Sequence, residues 1–378
     1  MSRTETKRLH IVHTESLAGP GGQTLRVLNE ACGMINRGHQ VTLFCRPETY
    51  LYNQAVARGV TSFPWLSKKV TLDATRRLRQ WLKENHADVI NTHSSADSWM
   101  VALAQIGRRY KVPVIRTRHM KNPVGRNLLS QWLYTKATQF IVTTGESVRQ
   151  DLIMQNNFNE SRIRSLPSGV DHTSFFPSEK NITRESLSLP QNKIVVGMVA
   201  IFTRLKGFDE FIEAASLLKN ENFHWVLVGD VNRQSGYRQE LENRAENAGL
   251  TGQITFAWFQ QNVAPWLQAM DIFCLPTSLD EGVPQVILQA MLCRLPIITT
   301  PKGSIGDAIE HARTGWMVEA GDSEKLAKAI SMLSRDKLLR DQLAERAYEK
   351  ARSHFTQEIM LDGMEEVCAQ LVKSTERA

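Results

Sequence analysis

The stretch SLDEGVPQVILQAMLCRLPIITT, residues 278–300, places an acidic side chain where a loop leads into a short amphipathic run. Proline favours the first position of a helix, so we expect a helix from Pro284 onward. A carboxylate directly before a helix can accept hydrogen bonds from ligand hydroxyls, which is the role that we expect for Glu281. The N–H groups of Gly282 and Val283 can bind the same ligand, because the first turn of a helix leaves its donors unpaired.

A second polar side chain, Gln289, lies about five residues into the same helix. At 1.5 Å per residue it is roughly 7–8 Å along the helix axis, so one extended ligand can contact both positions. An alternative stays open, in which Asp280 and Glu281 only interact favourably with the positive end of the helix dipole.

Two cations follow another strand-like run in AIFTRLKGFDEFIEAA, residues 200–215. Arg204 and Lys206 lie between this strand and a helix, where positive charge can hold a diphosphate and stabilise it as it leaves a reaction centre. The alternative is a pair of solvated basic side chains.

A glycine-rich loop, AGPGGQT, follows the first strand-like run and opens a helix at about Thr24. Gly21 and Gly22 have no side chains, so their backbone N–H groups can approach a ligand closely. The spacing matches neither the G-x-G-x-x-G pattern of dinucleotide-binding loops nor the G-x-x-x-x-G-K-[ST] pattern of P-loops. A simple tight turn is therefore the alternative.

These loops all follow short apolar runs that alternate with helical patterns, which indicates βαβ units around parallel sheets. Ligands of such sheets bind at the carboxyl ends of the strands. The first half contains the runs LHIVHT, HQVTLFC, DVINTHS, PVIRTRH and QFIVTT, and the second half contains KIVVGMVAIF, HWVLVGD, QITFAW, DIFCLPT and LPIITT. We therefore expect an α/β fold with two Rossmann-like domains.

A stretch rich in Pro, Ser and Asn, residues 167–192, separates the two halves and lacks helical or strand periodicity. This composition is typical of a linker, with a boundary near residues 175–190. We predict an N-terminal domain over residues 1–178 and a C-terminal domain over residues 190–355.

Charge is unevenly distributed along the 378 residues, with a net +7 overall, +12 over residues 1–180 and −5 over residues 181–378. A basic half suggests an anionic partner, such as nucleic acid, an anionic membrane or a phosphorylated substrate, and a solvated basic surface is the alternative. The five cysteines are scattered, which indicates neither disulfides nor a zinc site. With no signal peptide and no long apolar run, we expect a cytoplasmic chain that is soluble or peripheral on a membrane.

Residues 278–300 closely resemble the E-G-x-P-x-x-x-x-E-A signature of the GT-B-fold glycosyltransferases of family 4, which transfer a sugar from a nucleotide donor with retention of anomeric configuration. The resemblance covers almost the whole chain and includes, in order, GGQTLRVLNEACGMINRGHQVTLF, VIRTRH, LPSGVDHTSFFP, KGFDEFIEAA, WVLVGD, AMDIFCLPTS and TGWMVEAGDSEKLAKAI. It implies a GT-B fold, in which two Rossmann-like domains face each other across a cleft. The last helix, residues 356–378, would complete the N-terminal domain.

The resemblance also implies roles for individual residues. His119 would lie in the N-terminal domain against the transferred sugar, and Trp258, in FAWF, would flank the base of the nucleotide. Lys206 would hold the diphosphate and Glu281 the donor sugar. The full set comprises the catalytic residues Glu281, Lys206, His119 and Arg204 and the donor-binding residues Gly21, Gly22, Gly282, Val283, Gln289, Asp307 and Trp258.

Three positions depart from the family pattern. Gln289 replaces the second Glu of the signature, although an amide can still bond to ribose hydroxyls. Ile201 occupies the position of an Arg whose charge Arg204 would then replace, and Asp307 stands where Glu is usual. These departures suggest an altered donor or an impaired enzyme.

The implied reaction transfers a hexose or heptose from a nucleoside-diphosphate sugar to a glycan or glycolipid acceptor, most suggestively lipopolysaccharide core or another envelope polysaccharide. The acceptor hydroxyl would attack from the face that the diphosphate leaves, which gives retention. No D-x-D sequence occurs, so we expect no metal and no cofactor besides the donor.

Two interpretations that assign the protein to another functional class stay open. A non-catalytic GT-B protein that binds a nucleotide sugar as a sensor or subunit is compatible with Gln289 and Ile201. A nucleic-acid-binding protein fits the basic charge, but the sequence contains no recognition module of that kind, so we expect no nucleic-acid partner.

Two segments, residues 68–84 and 125–138, mix Trp, Leu and basic residues at helical spacing. This pattern suits peripheral association with an anionic inner membrane. The alternative is that their apolar side chains, Trp81, Leu82, Trp132 and Leu133, face the core.

Overall fold

Two β-sheets organise the chain in a computed structural model that describes residues 7–229 and 235–376. Within those residues each sheet pairs its strands in parallel, and helices cover both faces, so the strands are buried almost without alternation. The chain divides into two units. Unit 1 contains the described residues up to Ser168 and those from Gln357 onward, and unit 2 contains Gly169–Thr356.

Unit 1 has seven strands in the order β3-β2-β1-β4-β5-β6-β7. The strand order reverses between β1 and β4, which is the type of position where open α/β sheets bind ligands. The strands are β1 (His10–Glu15), β2 (Gln40–Cys45), β3 (Thr61–Phe63), β4 (Val89–Thr92), β5 (Val114–Arg118), β6 (Phe140–Thr143) and β7 (Ile163–Ser165). The helices between them are α1 (Gly22–Asn36), α2 (Tyr50–Ala57), α3 (Leu72–Glu84), α4 (Ser95–Gln105), α5 (Leu128–Thr135) and α6 (Glu146–Asn156).

Unit 2 repeats this topology with six strands in the order β10-β9-β8-β11-β12-β13. Its strands are β8 (Ile194–Val199), β9 (Phe223–Val228), β10 (Ile254–Ala257), β11 (Ile272–Leu275), β12 (Ile297–Thr299) and β13 (Trp316–Met317). Its helices are α7 (Lys180–Ser186), α8 (Phe208–Leu217), α9 (Ser235–Asn247), α10 (Ala264–Ala269), α11 (Gln285–Leu292), α12 (Ile305–Ala308), α13 (Ser323–Arg335) and α14 (Lys337–His354), after which α15 (Gln357–Glu376) returns to unit 1.

The stretch expected to be a linker, residues 167–192, is structured. It contains α7, which belongs to unit 2, and the division between the units lies after Ser168. Arg184 of α7 is buried and forms an ion pair with Asp271 at 2.5 Å. A seven-residue helix is too short to show helical periodicity, and this one is fixed by a partner far along the chain.

Helix α15 completes the core of unit 1. Its apolar side packs in one cluster with residues of α1 and the first sheet, and Leu361 lies against Gly33, where a Cβ would overlap the leucine side chain. Beside this contact, Glu365 accepts hydrogen bonds from Arg37 and, at 2.8 Å, from Nε2 of His39. Apolar packing and a partly buried ion pair therefore hold α15 against the rest of unit 1.

The two amphipathic segments contribute to the core of unit 1. Trp81 and Leu82 are buried in one apolar cluster and Leu133 in another, against which Trp132 packs partly buried. The core-facing alternative is therefore confirmed for these side chains, although Leu128, at the start of α5, is 87% exposed. Among the described residues, no helix is both long and apolar enough to cross a membrane.

We predict that Glu365→Ala lowers the free energy of unfolding by about 1–3 kcal/mol at pH 7, because it leaves the buried His39 Nε2 without its acceptor. Burial opposes the charge of Glu365, yet bonds from His39 and Arg37 hold its pKa below the ordinary value. The stabilisation is therefore present at neutral pH and lost as the pH falls through that lowered pKa.

Urea unfolding at neutral and acidic pH measures both effects. Glu366→Ala is the matched control, since Glu366 lies on the same helix as Glu365 and pairs with Arg164 of β7 but is two-thirds exposed. Its loss should change stability by less than about 0.5 kcal/mol. Equal effects of the two substitutions would contradict the prediction.

Candidate functional site

Lys206 and Glu281, both predicted site residues, contact each other in unit 2. The ammonium group donates a short hydrogen bond to Oε1 of the carboxylate, and the two side chains are only 15% and 20% exposed. Lys206 follows β8 and Glu281 follows β11, which is the neighbour of β8 in the sheet. The carboxyl ends of adjacent parallel strands therefore bring together two residues that are 75 positions apart.

The turn that carries Lys206 is fixed by the loop after β11. The backbone N–H of Ser278 donates to the carbonyl of Leu205 at 2.9 Å. Gly207 has a φ of +87°, and a Cβ there would overlap the backbone of Pro276. Both the backbone angle and the available space require glycine, so backbone contacts fix the point from which the Lys206 side chain extends.

The loop before α12 holds the backbone of Glu281. Ser304 donates its N–H to the carbonyl of Glu281 at 2.9 Å, and Gly303, with a φ of +54°, lies so close that a Cβ would overlap that backbone. Asp280 accepts a hydrogen bond from the N–H of Gly303 at 2.9 Å. Asp280 therefore fixes this loop. Asp307 lies four residues after Gly303, in α12.

Helix α11 begins at Gln285, one residue later than predicted. Pro284 has the φ of a helix but a ψ of 127°, so it precedes the helix in extended conformation. Gly282 and Val283 are buried in the loop before it. Gln289 lies in the second turn and is 9% exposed, and within the described residues its side-chain amide has no hydrogen bond.

Arg204 is held by other partners. Its guanidinium group donates to both oxygens of Glu240, at 2.8 and 2.6 Å, and to Asp209 at 3.3 Å, and it lies over the ring of Tyr237. The side chain is half exposed. Two carboxylates thus already neutralise the charge that was expected to replace the arginine missing at Ile201.

Trp258 lies in an aromatic cluster after β10. Its ring stacks on Phe256, with centroids 5.2 Å apart, and meets the edge of Phe202. Arg238 covers a face of the indole, with its Cζ 3.7 Å from the ring centre. A nucleotide base that stacks on this face would take the place of the guanidinium group.

Unit 1 contains a cavity of about 510 Å³ at the carboxyl ends of its central strands. Its lining includes His93 after β4 and three residues at the end of β5, namely Arg116, Arg118 and His119. Loop residues before α1 and α5 complete the wall. This is the position at which the strand order reverses, so the ligand site expected there is a real cavity.

The glycine loop lies beside the start of α1. The helix begins at Gly22, two residues earlier than predicted, and Gly21 precedes it. A Cβ on Gly22 would meet no protein atom within 4 Å, so packing within the protein does not require glycine there.

Three histidines form a row behind the cavity. His13 Nδ1 is 3.0 Å from His93 Nε2, and His93 Nδ1 is 3.1 Å from His119 Nε2. Burial lowers the pKa of all three rings, and the pKa values of His93 and His119 lie well below the usual range. The rings are therefore neutral at pH 7, and each has one N–H donor and one acceptor.

One carboxyl group selects the direction of these hydrogen bonds. Glu30, which accepts a bond from Asn91, lies 3.9 Å from His13 Nε2, too far for a hydrogen bond, but its charge favours the proton on that nitrogen. His13 Nδ1 then accepts from His93 Nε2, and His93 Nδ1 accepts from His119 Nε2. His119 Nδ1 is left as an acceptor at the cavity, without a hydrogen-bond partner in the described part of the chain.

Two buried carboxyl groups, Glu15 and Asp97, lie near the histidines. Burial and the neighbouring Glu15 raise the pKa of Asp97 to about 8, and burial also raises that of Glu15. Asp97 accepts hydrogen bonds from Thr14 Oγ1 and from the N–H of His93, at 3.0 and 3.1 Å. These groups therefore orient the strand ends that carry the histidine row.

The sequence interpretation missed most of this cluster. It selected His119 but not His13, His93 or Arg116, although each lies at the carboxyl end of a predicted strand. A polar residue at that end of an otherwise apolar strand was the available signal, in IVHT, INTH and VIRTRH. The contact between His13 and His93 spans 80 positions, which local spacing cannot show.

Two family models match the chain. Residues 20–174 match Glycosyltransferase Family 4, and residues 179–350 match Glycosyl transferases group 1. Together the matches extend over most of both units, and the second one contains Lys206 and Glu281.

Individual relatives are consistent with these matches. A D-inositol 3-phosphate glycosyltransferase of Mycolicibacterium paratuberculosis is 27% identical in an alignment of 361 positions that covers 86% of this chain and 81% of that protein. The lipopolysaccharide core biosynthesis glycosyltransferase LpsE of Rhizobium meliloti is 32% identical over 181 residues, or 48% of this chain and 51% of that protein. Anabaena HepE, solved in complex with UDP-glucose, has a TM-score of 0.84 at 18% identity, covering 96% of this chain and 100% of its own. The α/β fold with two Rossmann-like domains, of the GT-B class, is confirmed.

We predict that His119 carries its proton on Nε2 and stays neutral at pH 6, where an ordinary histidine is mostly protonated. The ¹⁵N chemical shifts of histidine-labelled protein report both properties, with the His119 signals assigned by their loss in His119→Gln. The signals of His86, whose side chain is 80% exposed, serve as the comparison. A His119 ring protonated on Nδ1, or one charged at pH 6, would contradict the hydrogen-bond direction set by Glu30.

Proposed function

Because this chain belongs to the group 1, family 4 glycosyltransferases, we propose that it transfers a hexose or heptose from a nucleoside-diphosphate sugar to a hydroxyl group of a glycan or glycolipid. The observation that carries this proposal is the Lys206–Glu281 pair at the carboxyl ends of β8 and β11. The similarity to LpsE supports lipopolysaccharide core, or another envelope polysaccharide, as the acceptor. The UDP-glucose complex of HepE makes UDP-sugars the first donors to test.

The two side chains of the pair bind different parts of the donor. The Lys206 ammonium group binds the diphosphate, and the Glu281 carboxylate accepts hydrogen bonds from the sugar hydroxyls. In the protein without donor each charge neutralises the other, so neither is left as a buried unpaired ion. When the donor binds, its diphosphate contacts Lys206 and its sugar contacts Glu281, and these two contacts replace the one between the two side chains.

The proposed reaction proceeds with retention and without an enzyme nucleophile. The bond between the anomeric carbon and the diphosphate oxygen breaks, and Lys206 stabilises the negative charge that develops on the leaving group. The acceptor oxygen forms its bond on the same face, and its proton passes to the departing phosphate. His119 Nδ1, as an acceptor, orients a sugar hydroxyl in unit 1.

Two departures bear on the rival proposal, a GT-B protein that binds a nucleotide sugar without turning it over. Gln289 is an amide in place of a carboxylate, and Arg204 is engaged with Glu240 and Asp209. Asp307 and Trp258 remain proposed donor contacts. The rival predicts donor binding without product, so a turnover assay separates the two.

We predict that a nucleoside-diphosphate sugar raises the melting temperature, that EDTA leaves this shift unchanged, and that Glu281→Ala and Lys206→Ala each weaken donor binding at least tenfold. A screen of UDP-, GDP-, ADP- and CMP-sugars by thermal shift identifies the donor. Turnover with that donor should fall by about 10²–10³-fold in Lys206→Ala, the range for loss of one group that stabilises developing charge.

The matched controls are Lys325→Ala and Glu319→Ala, which remove another Lys–Glu pair of unit 2 from an exposed position. These variants should bind donor like the wild type. Binding that persists in Glu281→Ala and Lys206→Ala would place the donor elsewhere, and binding without turnover would favour the rival. The anomeric proton of the product, observed by NMR, tests retention.

We also propose peripheral association with an anionic membrane through the start of α5. Leu128 and Leu129 are adjacent and exposed, and Arg126 is exposed beside them. Apolar side chains next to a cation suit the interface of a bilayer that carries negative charge.

The double substitution Leu128→Ser and Leu129→Ser should reduce binding to vesicles of phosphatidylglycerol and phosphatidylethanolamine by about tenfold, because two leucines lose their contact with lipid. Co-sedimentation measures this change. Leu338→Ser is the control, since this exposed leucine lies on α14 in unit 2. Equal binding to neutral phosphatidylcholine vesicles, or no effect of the double substitution, would contradict the proposal.

A further inference from the structure

Arg116 is a buried cation without an ionic partner. It is 5% exposed, lies at the end of β5 and lines the cavity of unit 1. In the parts of the chain that are described, its guanidinium group makes no hydrogen bond and no ion pair, and Nη1 is buried and unsatisfied. Its one close neighbour of note is the ring of Tyr134, 4.4 Å from Cζ. Burying a charge without a counter-ion costs free energy, so this arrangement requires an explanation.

The surroundings of Arg116 are basic. Arg118 and Lys68 also line the cavity, and none of the described lining residues is Asp or Glu. Arg118 is held in place because it donates to the hydroxyl of Tyr134 and to the carbonyl of Asn122, while its Nε is buried without a partner. Two guanidinium groups thus have N–H donors left over next to the same space.

The nearest buried carboxyl groups do not supply the missing partner. Asp97 attracts the charge of Arg116 but forms no ion pair with it in the described residues, and it accepts bonds from Thr14 Oγ1 and from backbone N–H groups. Glu15 accepts from Gln23 and from the hydroxyl of Ser94. Both carboxyl groups are therefore engaged behind the wall of the cavity, and the cavity itself is left with unpaired positive charge.

We propose that this cavity binds a phosphate or carboxylate group carried by the acceptor, with Arg116 as its main ligand and Arg118 and Lys68 beside it. A guanidinium group offers parallel N–H donors that match the two oxygens of such an anion. The bound anion accepts hydrogen bonds from the N–H groups of Arg116 that line the cavity, none of which has a hydrogen-bond partner among the described residues. The assignment of the anion to the acceptor rests on the proposed function, whereas the anion site itself does not.

Isothermal titration calorimetry with inorganic phosphate, in a buffer free of other multivalent anions, tests the site on the full chain. We expect one site per chain and at least tenfold weaker phosphate binding in Arg116→Gln. Arg116→Lys should lose an intermediate amount of affinity, because it keeps the charge but lacks the parallel N–H donors of a guanidinium group. Arg109→Gln is the matched control, because Arg109 also lies over a tyrosine ring but is exposed, and it should bind phosphate like the wild type. Acetate in place of phosphate tests whether a carboxylate is accepted.

Two further measurements keep the outcome unambiguous. Without phosphate, Arg116→Gln should melt no lower than the wild type, since it removes a buried unpaired charge. Phosphate binding must also persist in Lys206→Ala, because the donor site of unit 2 is a second place where phosphate can bind. Binding that is lost in Lys206→Ala and kept in Arg116→Gln overturns the proposal, as does the absence of binding by both phosphate and acetate.

The role of the anion is tested separately from the site. Glucose 6-phosphate should bind at least as tightly as inorganic phosphate, and glucose should not compete with it. If phosphate binds at Arg116 but no nucleotide sugar binds the protein, the anion site stands and its assignment to an acceptor fails together with the proposed function. If nucleotide sugars bind and phosphate does not, the proposed function stands and this inference fails.

Discussion

The parallel direction of the described strands is the constraint on which both sites depend. Because the strands of a parallel sheet all run in one direction, their carboxyl ends lie along the same edge, and residues far apart in the chain meet there although no local spacing relates them. In unit 2 this brings Lys206 to Glu281, and in unit 1 it brings His13, His93 and His119 into one row. The helices and the apolar core serve mainly to hold these edges in place.

The two sites treat charge in opposite ways. In unit 2, the cation and the carboxylate are already paired, so a ligand has to compete with an existing contact. In unit 1, Arg116 is unpaired and the histidines are neutral, so the site presents donors and acceptors that the protein itself does not satisfy. A site of the first kind costs little in stability when empty, whereas a site of the second kind is maintained at the expense of the stability of the empty protein.

The sequence predicted the fold well, because alternating apolar and amphipathic runs report directly on parallel sheets. It also selected Lys206 and Glu281, since each lies in a loop between a strand and a helix, and the structure shows their contact. It did not select Arg116 or His93, because the significance of Arg116 arises from its burial without a hydrogen-bond partner and that of His93 from histidines far along the chain. The helix α7 was missed for the same reason, since a residue more than 80 positions away, Asp271, holds it. The departures at Gln289 and Ile201 are visible in the sequence, but their effect depends on a donor.

The position of α15 has a consequence for synthesis of the chain. Unit 1 buries the apolar face of α1 against a helix that is translated only after the whole of unit 2. At ordinary translation rates, the intervening residues take roughly 10–40 s to make. During that interval the first sheet is present without its last covering helix, while unit 2 can fold as soon as it emerges. The nascent first unit therefore exposes an apolar groove to chaperones, and its native state is reached only after α15 leaves the ribosome.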